Sequence, residues 1–119
     1  MKMGRLTTHV LDLLSGGPAV GMTVELMAMD GAARRPVVRT KTNRDGRCEG
    51  ALLEGERFTA GVWQLEFHVA EYFAARGATL TQPPFLDVVA VRFGIANPDQ
   101  NYHVPLLVTP WSYSTYRGS

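Results

Sequence analysis

Cysteine is almost missing from this sequence: Cys48 is the only one among 119 residues. No intrachain disulfide can form, which excludes the small disulfide-stapled scaffolds and makes a reducing compartment the simpler home. Cys48 stands in no nucleophile motif and reads as an inert buried thiol. An excess of one charge is lacking too, since 12 Lys and Arg oppose 11 Asp and Glu for a balance of +1. Nothing in that balance draws the chain to phosphate backbones or anionic lipid, so neither nucleic acid nor membrane is expected among its partners. Long apolar runs are absent: a membrane helix needs about 20 such residues, and here each run is soon broken by a charge, His, Pro or Gly. The start, Met1 to Leu14, carries Lys2 and Arg5 but is interrupted by His9 and Asp12. It lacks the apolar centre of a signal peptide, so the chain reads as unexported and cytoplasmic. Repeats, low-complexity tracts and linkers are also missing, and the length fits one domain over residues 1–119.

What is present is a β pattern. Twelve Gly and seven Pro fall in clusters between short apolar runs, the spacing of a strand-rich domain. Trp63, Leu65, Phe67 and Val69 alternate with Gln64, Glu66 and His68, giving one buried and one polar face at a two-residue period. Met22–Met29 reads similarly, and Leu6–Leu13 and Pro36–Thr42 more weakly. Phe85–Phe93 and Tyr102–Thr109 are apolar on both faces, which suggests strands covered on both sides by a second sheet or another subunit. Parity does not say which of Val89, Val91 and Leu107 would face a partner. Ser15-Gly16-Gly17-Pro18 and Asn43-Arg44-Asp45-Gly46 are turn sequences. Residues 70–76, ended by Gly77, read as one short helix with a left-handed cap. Seven or eight strands and one helix make an all-β sandwich.

Histidine is scarce enough for its three positions to inform. His9 shares a strand face with Thr7 and Leu11, and His103 with Pro105, Leu107 and Thr109. Each fits a core histidine satisfied by one hydrogen bond. Each also fits a hydrolytic site, because imidazole takes a proton from water near neutral pH while a guanidinium holds an oxyanion. Arg47 and Arg117 are the candidate guanidinia, or else solvated charges; His68 reads as solvated. No Cys-x-x-Cys, His-x-x-x-His or His-Glu pair suggests a metal, and no Gly-rich loop opens a helix to hold phosphate.

Three segments carry a resemblance: Leu6-Thr7-Thr8-His9-Val10-Leu11-Asp12 with Gly17-Pro18-Ala19, then Thr42-Asn43-Arg44-Asp45-Gly46-Arg47, then Tyr102 to Pro110 continuing to Tyr116-Arg117-Gly118-Ser119. Together they resemble the 5-hydroxyisourate hydrolases, the transthyretin-related proteins of purine catabolism. Transthyretin, the hormone-carrying relative, does not end in the Tyr-Arg-Gly-Ser tetrapeptide. Asn101-Tyr102-His103 departs from the family's frequent His-Tyr-His, and Leu13-Leu14 and Trp111 look individual.

The resemblance implies a transthyretin-like fold of two four-stranded sheets with one helix at about 70–76. It also implies a homotetramer, a dimer of dimers, with sites in a channel between dimers. His9, Arg47 and His103 would be the catalytic trio, Tyr116 and Ser119 would bind substrate, and no cofactor or metal would be needed. The implied reaction adds water to a ring carbonyl of 5-hydroxyisourate. It opens the ring to 2-oxo-4-hydroxy-4-carboxy-5-ureidoimidazoline in urate degradation. His9 would deprotonate the water, His103 would share or relay the proton, and Arg47 would hold the oxyanion. The C-terminal tetrapeptide would reach the pocket. The rivals are a module that carries a small aromatic ligand in the channel and an interaction domain using an open sheet edge.

Overall fold

A computed structural model describes residues 4–119; Met1 and Lys2 of the leader-like start lie outside the described residues. The first half of the chain forms β1 (Arg5–Thr7), β2 (Val10–Asp12), β3 (Gly17–Pro18), β4 (Thr23–Asp30), β5 (Ala33–Lys41) and β6 (Leu53–Glu54). After a 3-10 turn at Gly55–Arg57 come β7 (Gly61–His68), α1 (Val69–Ala75), β8 (Val88–Ile95), β9 (Tyr102–His103), β10 (Leu106–Val108) and β11 (Tyr113–Thr115).

The alternating segment around Trp63 becomes an interior strand, β7, of an antiparallel sheet ordered β5-β4-β7-β8. Its apolar face, with Leu65 and Phe67 fully buried, packs in a core that also takes Leu6, Val10, Leu106 and Val108 from the opposite layer. Burial of each such side chain contributes about 1.5–3 kcal/mol. That opposite layer is not one four-stranded sheet. It is divided into β6-β1-β9 and β11-β10-β2-β3. The expected strands Leu6–Leu13 and Tyr102–Thr109 each break in two, at Thr8-His9 and at Val104-Pro105. Pro105 has no N–H to give a ladder, and the buried Thr8 hydroxyl donates to the Val104 carbonyl at 2.7 Å. The halves stay laced by Val104 N to Thr7 O at 3.0 Å and Leu106 N to His9 O at 2.9 Å.

Three expectations shift. The strand expected over Phe85–Phe93 starts only at Val88, and the Asp87 carbonyl just before it accepts from Ala70 N at 3.0 Å, in the helix, not in a ladder. Phe85 is 73% exposed. Val89 faces the core, whereas Val91 and Leu107 are half-buried. The polar face of β7 is not solvated, since Gln64 and Glu66 are buried beneath arginines from β5 and β8. Arg34 grips both Glu66 oxygens at 2.6 and 2.5 Å, and Arg92 Nε donates to Gln64 Oε1 at 3.1 Å. Burial alone would raise the Glu66 carboxyl, but hydrogen bonds from Arg34 and Gln64 outweigh it and hold the group below its ordinary value. His68, expected in solvent, is half-buried with Nε2 2.7 Å from Glu25 Oε1; cross-strand neighbours supplied a partner that its own strand does not show.

Helix α1 follows β7 directly, and Gly77 closes it at φ 88 as its sequence suggested. The helix is tied to the β2–β3 turn. Asp12, 1% exposed, accepts from Leu14 N at 2.8 Å, Ser15 N at 3.0 Å and Tyr72 Oη at 2.8 Å. Burial pushes the Asp12 carboxyl up, and the bonds from Ser15, Tyr72 and Leu14 more than reverse it. Tyr72 is pushed to about 12 by burial and the adjacent carboxylate.

Candidate active site

The breaks in β1–β2 and β9–β10 put both candidate histidines beside each other's strands. His9 follows Thr8 at the first break, and His103 ends β9 at the second. Both rings are half-buried on the outer side of the layer, while Leu6, Thr8, Val10 and Val104 point inward. Arg47 joins them through the chain, as the residue paired with His9 in an isolated antiparallel bridge.

A tight turn sets that bridge. Asn43 Oδ1 accepts from Asp45 N at 2.9 Å and Arg47 N at 3.2 Å, the Asx-turn geometry its side chain favours. Gly46 sits at φ 75, and a Cβ there would come 2.5 Å from the Val10 carbonyl oxygen. The Gly46 carbonyl in turn accepts from Val10 N at 2.8 Å. The turn thus lies flat on the strand and presents the Asp45 carbonyl to His9 Nε2 at 2.8 Å. A carbonyl only accepts, so His9 Nε2 carries a proton, and in the neutral ring Nδ1 holds the lone pair.

The Arg47 side chain is exposed and makes no hydrogen bond or ion pair among the described residues. It borders a cavity of about 270 Å³ lined by Arg5, Thr7, Thr8, Arg47, Cys48 and Gly50. That is just below the roughly 300–1,000 Å³ usual for small-molecule sites. His103 is held below the ordinary imidazole value by burial, then by the Arg47 cation and by His9, so the three groups share one electrostatic environment. Its Nδ1 lies 2.8 Å from Thr7 Oγ1. Burial raises the Cys48 thiol to about 11, which suits an inert thiol. Among the described residues no cluster of three His, Cys, Asp or Glu side chains could hold a metal ion.

The C-terminal tetrapeptide is only partly drawn in. Gly118 exchanges main-chain hydrogen bonds with His103, at 3.2 and 2.7 Å, and a Cβ on it would come 3.2 Å from His103 Cδ2. Arg117 lies away from the trio. It stacks 4.1 Å from the Tyr102 ring centroid and donates to the Asn101 carbonyl at 3.0 Å, which pins the tail. Tyr116 is 60% exposed and lines another cavity of about 260 Å³ with Phe93, Tyr102 and Arg117. Ser119 is exposed beyond Gly118. Within one chain, then, His9, Arg47 and His103 gather, and Tyr116 does not join them. The Asp45 carbonyl had no signal in the sequence, and Thr7, placed there on one strand face with His9, partners His103 instead.

A two-layer sandwich with an imidazole pair and a free guanidinium at its strand breaks defines a transthyretin-like protein equipped for hydrolytic chemistry. The family model described as the HIUase/transthyretin family matches residues 6–118, and the chain belongs to that family. It is 54% identical to a 5-hydroxyisourate hydrolase of Ralstonia nicotianae over 98% of this chain and 100% of the relative. An (S)-allantoin synthase structure matches with a TM-score of 0.92 and 49% identity over 98% of this chain, which spans 44% of that longer chain. Sea bream transthyretin in complex with thyroxine matches with a TM-score of 0.84 and 27% identity, over 96% of this chain and 94% of the other.

Proposed function

We propose that the chain hydrolyses 5-hydroxyisourate to 2-oxo-4-hydroxy-4-carboxy-5-ureidoimidazoline in urate catabolism, in the cytoplasm where Cys48 stays reduced. The observation that carries this reading is the bridge pairing His9 with Arg47 beside His103. Water attacks a ring carbonyl while His9 Nδ1 takes its proton, so the new C–O bond forms as the base charges. Arg47 holds the oxyanion with two of its five donors. The C–N bond then breaks, and the departing nitrogen receives the same proton back from His9. His103, kept neutral, hydrogen-bonds the reacting groups, and Ser119 and Tyr116 complete the substrate's surroundings.

Assembly belongs to this reading. Leu13 and Leu14 at 53%, Trp111 at 59% and Tyr113 at 45% exposure crowd one end of a sheet in which β10 lies between β2 and β11. Such a patch favours burial against another copy. A homotetramer, a dimer of dimers, covers it and brings Tyr116 of one chain toward the trio of another.

The test is the ultraviolet decay of 5-hydroxyisourate, freshly made by urate oxidase, with and without the protein. Accelerated decay is expected, and His9→Ala or His103→Ala should cut kcat/KM about 10²-fold or more. Decay at the spontaneous rate with folded protein would overturn the hydrolase. Native mass measurement should give four chains of 13.1 kDa each, and a fully active monomer would reject shared sites.

A further inference from the structure

Thr7 and His103 are register partners in the parallel pairing of β1 with β9. The Thr7 hydroxyl, 2.8 Å from His103 Nδ1, meets no other hydrogen-bond partner among the described residues. The ring cannot easily turn away. Its main chain is bound to Gly118 on one side, and Val104, next in the chain, donates to the Thr7 carbonyl at 3.0 Å. Position 118 lies so close to the ring that a Cβ added there would come 3.2 Å from His103 Cδ2.

A neutral imidazole has one nitrogen with a proton and one with a lone pair, and the hydrogen bond made by the first decides the role of the second. A half-buried hydroxyl proton with no other acceptor is satisfied by donating to the ring. We propose that Thr7 is a positioning residue: its hydroxyl donates to His103 Nδ1 and holds the ring in the Nε2–H form, a neutral donor toward the substrate. This rests on the hydrolase reading for its purpose, though not for its geometry.

His9 is held the opposite way, with its proton on Nε2 facing Asp45 O and its lone pair on Nδ1. In their neutral forms the two rings therefore leave one acceptor, His9 Nδ1, and one donor, His103 Nε2, for the substrate. A neutral ring that lost its Nε2 proton would become an imidazolate, so His103 does not relay a proton. It donates a hydrogen bond to the carbonyl oxygen as charge develops there, while one proton travels from water to His9 and on to the leaving nitrogen. Atoms and charge balance at each step.

The experiment is nitrogen-15 NMR of the histidine rings at about pH 8, where an imidazole is neutral, together with steady-state kinetics. In the wild-type protein, His103 should show a protonated Nε2 and an unprotonated Nδ1; the reverse pattern overturns the proposal. Thr7→Val, which keeps shape and loses the hydroxyl, should mix the tautomers and lower kcat about 10-fold with KM little changed, the scale of one hydrogen bond. Thr7→Ser should restore both. A Thr7→Val protein with an unaltered ring spectrum and kcat overturns the role. If that variant does not fold, Thr7→Ala serves the same comparison, and the wild-type spectrum needs no variant. A wild-type protein that shows the Nε2–H ring yet no hydrolysis overturns the function and leaves the tautomer assignment standing.

Discussion

Replacing Arg47 by Ala separates two effects that the structure joins in one side chain. The turn should survive, because Arg47 takes part in it through its main chain, at 3.2 Å to Asn43 Oδ1 and 2.7 Å from Asn43 N. Its exposed side chain touches no partner, so folding stability should change by less than about 0.5 kcal/mol. Catalysis should not survive. Losing a donor set aimed at the oxyanion costs about 10²–10³-fold, roughly 2.7–4 kcal/mol of transition-state stabilisation. The second effect is on His103, whose proton affinity is lowered by burial first and by the Arg47 cation next. Removing that cation lets the His103 pKa rise toward the ordinary imidazole value. If the proposed mechanism holds, activity needs the neutral ring and falls as pH drops through that pKa, so the acid limb of the pH profile should move to higher pH in Arg47→Ala. Arg47→Lys keeps the charge but not the planar fork. Its limb should stay in place while its rate drops part of the way. The measurements are kcat/KM against pH and an NMR titration of His103 in all three proteins. An Arg47→Ala protein with near-wild-type kcat/KM, or with its acid limb moved to lower pH, would refute the reasoning.

Gly46→Ala should damage both the fold and the site, because its Cβ would meet the Val10 carbonyl at 2.5 Å from a backbone at φ 75; urea titration should show a loss of about 1–3 kcal/mol, and hydrolysis should fall with the displaced Asp45 carbonyl. Tyr72→Phe removes one of three donors to the buried Asp12, a cost of about 1.5–3 kcal/mol for a bond to a charged group. Because Asp12 titrates below its ordinary value of 3.8 when folded, its contribution is present above that pH and is lost as pH falls through the folded pKa. The acid-unfolding midpoint of Tyr72→Phe should therefore move to higher pH, and an unmoved midpoint would count against the clamp. His68→Ala should leave hydrolysis unchanged, since β7 lies in the layer opposite the site. It should cost about 0.5–1 kcal/mol by denaturant unfolding for the lost contact with Glu25.

How much the residues reveal by themselves follows from what is local. Alternation over Trp63–Val69 marks a strand because side chains of a strand point to opposite faces every second residue, and β7 formed there as far as His68, with Val69 already opening α1. Helix formers closed by Gly77 marked α1, and Asn43 with Asp45-Gly46 marked the turn that carries Arg47, since each depends on the backbone preferences of a few adjacent residues. The spaced motifs carried the family. Partnership across the layers could not be read in this way. Thr7 and His103 are 96 positions apart and meet only through the β1–β9 register. The polar face of β7 looked solvated because its alternation records side-chain polarity, not the two arginines, Arg34 and Arg92, that reach Glu66 and Gln64 from other strands. The strand breaks at Thr8-His9 and Val104-Pro105 were likewise hidden, because a pattern of apolar residues continues through them while the pairing partners change. Local order was in the sequence; the partner that each histidine ring meets was decided by contacts that only the folded sheets bring together.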